Sequence, residues 1–176
     1  VQDTSDEDYL ESSCFAIAKD RTTWLIICLI TATMTGFIIQ RYESLLASSV
    51  ALAAYIPMLM DSGGNAGTQS STTVIRALYT GKVHFKNIFA VMSKELKVGL
   101  ITGSILVVVN FIRMTIIGAH GLSISLTVSA TLLLTVTLSK IIGGILPLIA
   151  DKVHVDPTVM AGPIITTLVD TFALLI

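Results

Sequence analysis

The sequence predicts an all-α integral membrane protein with five transmembrane helices per chain, and two observations carry that prediction. Of its 176 residues, 53% are hydrophobic and only 13% are charged, against about 25% charged in ordinary soluble domains. The charges are also clustered, with long apolar runs between them, and the mean hydropathy is +0.82. Lipid is the natural solvent for such a chain. Polar–apolar alternation is absent from the runs, which argues against a β-barrel. In lipid, a helix satisfies its backbone groups within one segment.

Residues 1–20 read as a polar cytosolic tail, with acids at Asp3, Asp6, Glu7, Asp8, Glu11 and Asp20, ending in a short helix over 11–19. The tail has neither a basic n-region nor an apolar h-region of a secretory signal. The start at Val1, without Met, reads as that of a fragment or a processed chain. Residues 21–176 form the transmembrane domain. The first span runs over about 22–40, with Trp24 at an interfacial position and Arg41 closing it. The second begins near residue 45, stays apolar to 60, and is expected to break over 61–67 before a helix resumes over 68–78. Residues 81–97 read as a basic, amphipathic connector. The third span covers about 98–117, a turn covers 118–121, and the fourth span covers 122–149. A polar loop follows at 151–156, and Pro157 suits the first turn of a fifth span running to residue 176. About 20 residues suffice to cross the hydrocarbon core.

The basic residues orient the chain. With the N-terminus inside, Lys19, Arg21, Arg76, Lys82, Lys86, Lys94, Lys97, Lys140 and Lys152 fall on the inner side, nine of eleven; Arg41 and Arg113 fall outside. This predicts a multi-pass protein of the cell membrane, N-terminus cytoplasmic and C-terminus outside. Lys140 and Arg113 are expected to snorkel to the inner and outer interfaces. A net charge of −1 gives no basic surface for nucleic acid. Cys14 and Cys28 read as two reduced thiols.

Polar groups at membrane depth carry the functional argument. Asp170 lies about 20 Å along the fifth helix from Pro157, in a span with no Lys or Arg. Its carboxylate is either a cation ligand in a pore or a protonated structural acid. Gly162, Thr166 and Asp170 are spaced four apart and share a helix face. That face is a pore stripe or a helix-packing face. In the second span, Pro57, Gly63, Gly64 and Gly67 weaken the helix, and irregular backbone at this depth implies water or protein cover. Asn65, Thr68 and Thr72 follow on one face of the resumed helix, with Gln69 a nearby amide. Neutral oxygens and one carboxylate suit hydrated Mg2+, which gives up its waters reluctantly. Asp61 either lines the inner mouth or caps the resumed helix. Asp151, His154 and Asp156 cluster at the inner mouth, where a solvated loop with a helix cap is favoured over a metal site. His84 and His120 read as interface residues. There is no phosphate-binding loop, no cluster of soft-metal ligands, and no nucleophile–base pair, so an enzyme is the least favoured class.

Two stretches resemble a known family. Pro57-Met-Leu-Met-Asp-Ser-Gly-Gly-Asn-Ala-Gly-Thr-Gln69, continuing through Ser-Ser-Thr-Thr-Val-Ile-Arg-Ala-Leu78, resembles the second-helix signature of MgtE magnesium channels. Asp156-Pro157, Ala161-Gly162-Pro163 and Thr166-Thr-Leu-Val-Asp170 resemble the fifth-helix signature. The resemblance covers nearly everything from residue 20 onward. It implies a homodimer with a pore on the two-fold axis, lined by the second and fifth helices of both chains. The pore aspartate corresponds to Asp170, with Thr166 beside it as a metal-site residue. The other lining positions correspond to Gly64, Asn65, Thr68, Thr72 and Gly162, and Asp61 and Asp156 are inner-mouth candidates. Some members carry asparagine where this chain has Thr68 and Gly162. The ion implied is Mg2+, both cargo and ligand, moving down its electrochemical gradient. Full-length members add a cytosolic N-terminal domain and paired CBS modules; this chain has neither, and residues 9–19 read as a remnant of the connecting helix. A secondary divalent-cation transporter coupled to Na+ or H+ is the alternative, and broken helices are common in such proteins. No inverted repeat is evident in five spans. A non-transporting membrane subunit is the third possibility.

Overall fold

The computed structural model describes residues 13–116 and 121–176, with residues 20, 23, 24, 45, 48, 159–161 and 163 by backbone alone. The acidic tail over 1–12, the Trp24 side chain and most of the turn at 118–121, with His120, lie outside the described residues. Every regular element among the described residues is helical. They are α1 (Cys14–Arg41), α2 (Glu43–Ser48), α3 (Val50–Ala53), α4 (Ile56–Tyr79), α5 (Ile88–Ile116), α6 (Leu122–Lys152) and α7 (Pro157–Leu175).

The tail helix and the first span are one element. Ser13 caps α1 by accepting from the Ala16 amide at 3.2 Å, and the helix runs unbroken for 28 residues. The second span differs more. Its interruption lies upstream of the expected one, at Ser49, where the backbone leaves the helical region (φ −143°, ψ 75°), and at Ala54–Tyr55. Pro57 sits in the first turn of α4, where its missing N–H costs nothing. From there α4 continues for 24 residues straight through Asp61–Gly67. Glycine weakens a helix by about 1 kcal/mol relative to alanine, yet opening a helix in lipid strands backbone groups at greater cost. These glycines serve close approach instead. A Cβ on Gly67 would lie 2.7 Å from the Ile165 side chain and 3.2 Å from the Ser139 carbonyl. On Gly63 it would lie 2.5 Å from Val169 and 2.7 Å from Thr135.

The connector is also shorter than the sequence suggests. A 3-10 turn at Phe85–Asn87 leads directly into α5, with the His84 amide donating to Asn87 Oδ1 at 3.0 Å. The amphipathic stretch after residue 88 therefore belongs to α5 itself. Its buried residues Val91, Glu95, Gly99 and Gly103 repeat every four positions and form one stripe.

That stripe packs on α6, the central helix, which touches α4, α5 and α7. A Cβ on Gly99 would lie 2.9 Å from Thr137 Cα. On Gly143 it would lie 2.1 Å from the carbonyl oxygen of Gly67. Small residues replace apolar bulk at these crossings, because association in lipid comes from close van der Waals packing. Outside the crossings, α1 and α5 expose Leu29, Ile30, Ile101, Ile105, Val108 and Val109. Among the described residues, two helices, Phe85–Ile116 and Leu122–Lys152, are long and apolar enough to cross a membrane; Leu25–Arg41 and Ile164–Leu175 are shorter apolar stretches.

Helices α4, α5, α6 and α7 alternate in direction. At one end Lys152 Nζ sits 4.0 Å over the Phe85 ring, the Tyr79 hydroxyl lies 3.5 Å from Asp156, and Val74, Val91 and Leu148 form a cluster. At the other end Arg113 donates to Asn110 at 2.9 Å and contacts Met58, beside a cluster of Leu59, Met114 and Val128.

Adding a methyl at the Gly143 contact should force α4 and α6 apart. Gly143→Ala is expected to cost about 2 kcal/mol or more, seen as early loss of the monodisperse species on heating in detergent. Gly36→Ala, where nothing lies within 4 Å, should be neutral or slightly stabilising in the same assay.

Candidate functional site

The polar residues of α4 divide between two faces. Ser70 and Ser71 are buried, whereas Asp61, Asn65, Thr68, Gln69, Thr72 and Thr73 are exposed. Asn65, Thr68, Gln69, Thr72 and Thr73 line an open groove of about 590 Å³. On α7, Gly162 and Thr166 are exposed and Asp170 is half-buried. The helix register holds these residues outward. Ile165, Val169 and Ala173 take the buried face of α7, and Val169 and Ile165 meet Gly63 and Gly67. Gly64 then comes beside Thr166, whose Cγ2 lies 4.0 Å from where a Gly64 Cβ would stand. A Cβ on Gly162 would meet nothing within 4 Å. The candidates from the two helices therefore border one open surface, joined at Gly64 and Thr166.

The hydroxyls on this surface share one arrangement. Thr68 donates to Gly64 O at 2.8 Å and Thr72 to Thr68 O at 2.9 Å. Thr166 donates to Gly162 O at 3.2 Å. With each proton committed to the backbone, a threonine oxygen turns acceptor lone pairs outward. Asn65 Nδ2 donates to Asp61 Oδ2 at 3.1 Å, which leaves the amide oxygen available as a further acceptor. Such oxygens match the outward-pointing hydrogens of a hydrated cation.

No group of three or more His, Cys, Asp or Glu side chains assembles among the described residues. Within one chain the arrangement is a lining of neutral oxygens with one carboxylate on each bordering helix, Asp61 and Asp170.

The two inner-mouth candidates separate. Asp156 lies at the Tyr79–Lys152 end, where it caps α7: its Oδ1 accepts from the Thr158 amide at 2.8 Å and the Thr158 hydroxyl at 2.7 Å. Asp61 lies toward the other end. It follows Met58 and Leu59, which contact Arg113 and Met114, and precedes Gly63, which meets Val169. Its depth is close to that of Asp170. Because α4 does not break at residue 61, Asp61 stays within the helix toward the Arg113 end, apart from Asp156.

Lys140 also departs from expectation. It is 5% exposed, and its Nζ lies 3.4 Å from Gln69 Oε1; the ammonium turns toward α4 instead of snorkelling along α6. Glu95 is the polar residue least visible in the sequence. It accepts from the buried Ser70 hydroxyl at 2.6 Å. Its spacing of four from Val91 and Gly99 was the available signal, obscured by Lys94 and Lys97 in the same basic stretch.

Residues 56–176 match the family model of MgtE, described as a divalent cation transporter. This chain belongs to the MgtE family. It is 35% identical over 175 residues to the magnesium transporter MgtE of Thermus thermophilus, an alignment covering 99% of this chain and 38% of that protein. It is 33% identical over 183 positions to the magnesium transporter MgtE of Bacillus subtilis, covering 98% and 40%. The relative from Enterococcus faecalis, of the same name, is 33% identical over 161 residues, covering 90% and 35%. The chain thus spans roughly two fifths of the length of the curated relatives it matches. The MgtE match includes α4 and α7 in full, and membership agrees with a helical membrane protein.

The cap at Asp156 gives a test independent of transport. Asp156→Ala should destabilise the start of α7 by about 1 kcal/mol, read as a lower midpoint in thermal unfolding. Asp156→Asn, still an acceptor, should retain most of that stability.

Proposed function

We propose that two copies of this chain form a passive Mg2+ channel across the cell membrane, with α4 and α7 of both copies lining a central path. One observation carries the reading: exposed Asp61, Asn65, Thr68, Thr72 and Thr166 and half-buried Asp170 lie on neighbouring outer faces of α4 and α7, which meet at Gly64 and Thr166. Against lipid such a surface is unfavourable, since each amide, hydroxyl or carboxylate would lose its water partners. A second copy facing it across water removes that cost. It also brings two Asp170 carboxylates together, completing a charge that one chain lacks. The names of the relatives support Mg2+ as the ion.

In this reading Asp170 concentrates the divalent ion and accepts hydrogen bonds from its hydration water. Thr68, Thr72 and Thr166, with protons held by their own helices, extend the row of acceptors. Outer-sphere contact of this kind avoids stripping a shell that Mg2+ releases slowly. Gly64 and Gly162 leave width beside the row. The chain crosses the membrane five times, with its N-terminus cytoplasmic, its C-terminus outside, and the Lys152 end of the bundle on the inner side.

Asp170→Ala should lower Mg2+ flux into proteoliposomes at least tenfold while the dimer persists in size-exclusion chromatography; flux at the wild-type level would overturn the assignment. Flux should also follow voltage. An inside-negative potential of 100 mV favours entry of a divalent ion by about 4.6 kcal/mol, twice the value for one charge. Uptake should therefore rise with an imposed K+ diffusion potential and stay unchanged by a Na+ or H+ gradient. Dependence on either gradient would favour coupled transport instead.

A further inference from the structure

We propose that Glu95 and Lys140 are positioning residues that fix the fine setting of α4 about its own axis within its glycine seat, and so how fully its polar side chains face the ion path. The inference rests on the reading of α4 as a path-lining helix. Both charges are withdrawn from the surface: Glu95 is 9% exposed and Lys140 is 5% exposed. They grip consecutive residues of α4. Glu95, on α5, accepts from Ser70 Oγ at 2.6 Å. Lys140, on α6, reaches Gln69 Oε1 at 3.4 Å. Neighbouring residues on a helix point about 100° apart, so α4 is held from two directions by two different helices.

The glycine crossings decide which face of α4 turns inward, since Gly63 and Gly67 present bare backbone to α6 and α7. Within that seat, the finer setting of the helix about its axis is left to its side chains. Lipid tails are as apolar as the neighbouring side chains, so burial of apolar area does not choose among settings. Buried charges do. A small turn of α4 within its seat would draw Ser70 away from Glu95 and Gln69 away from Lys140 together, leaving an acid and a base without these partners inside the bundle. Room for Glu95 is built in. A Cβ on Gly144, one turn beyond Lys140, would lie 2.8 Å from Glu95 Cγ. Gln69 connects the clamp to the groove, since it also lines that surface beside Thr68 and Thr72.

The test uses the full chain with Cys14→Ser and Cys28→Ser, carrying a reporter cysteine at Thr72, in the groove, or at Val74, 5% exposed and on the buried side. A charged, water-soluble maleimide is expected to label Thr72→Cys and spare Val74→Cys. Adding Glu95→Leu or Lys140→Met should weaken the preference, with labelling of Val74→Cys rising at least about threefold and that of Thr72→Cys falling. Glu95→Gln, which still accepts from Ser70, should restore the original pattern. Ser70→Ala removes the donor without adding volume and should shift labelling as Glu95→Leu does; it serves where the larger change prevents folding. An unchanged pattern in Ser70→Ala and Lys140→Met would overturn the clamp. Flux separates the two readings. Absence of Mg2+ flux in the unmutated chain would remove the ion-path reading while labelling still reports on rotation. With flux present, the clamp predicts that the Mg2+ to Co2+ flux ratio shifts in Ser70→Ala, and an unshifted ratio would refute it.

Discussion

The backbone of α4 lies directly on that of α6 where Gly67 meets Gly143, and the rest of the arrangement depends on this contact. A single methyl on Gly143 would stand 2.1 Å from the Gly67 carbonyl. With α4 seated this deeply, its small residues turn inward, against Ile165 and Val169 of α7 and against Thr135 and Ser139 of α6. Its larger polar residues are left on the outer surface. The division of faces along α4 follows from steric need at the crossing, and the groove is its consequence.

The same economy shapes the chemistry. Threonines along the groove donate to carbonyls one turn back, a bond that requires only the helix itself. Their oxygens then face outward as acceptors, as a shell of metal-bound water requires. A lining of neutral oxygens with sparse negative charge attracts a divalent ion without holding it tightly, and weak retention is needed for passage.

Much of this was legible in the sequence because lipid leaves few alternatives. Apolar run length and the sparing use of charge announced the helices. The spacing of Gly162, Thr166 and Asp170 and of Asn65, Thr68 and Thr72 announced their polar faces. Glycines misled at Gly63, Gly64 and Gly67, since sequence alone does not separate a glycine that opens a helix from one that admits a neighbour. Only the partners across the crossing, Gly143, Ile165 and Val169, make the distinction. Lys140 and Glu95 were hidden for a related reason: a lysine in an apolar run reads as snorkelling, and an acid in a basic stretch as solvated, until the partner on another helix is known. Ser70 and Gln69, those partners, are 25 and 71 positions away in the chain.

A density map of the protein in a lipid bilayer with Mg2+ present tests the account most directly. The account predicts two copies related by a two-fold axis, α4 and α7 of each turned toward it, and density for a hydrated ion between the paired Asp170 carboxylates. Copies whose α4 polar surfaces face lipid, or an axis lined by other helices, would contradict it.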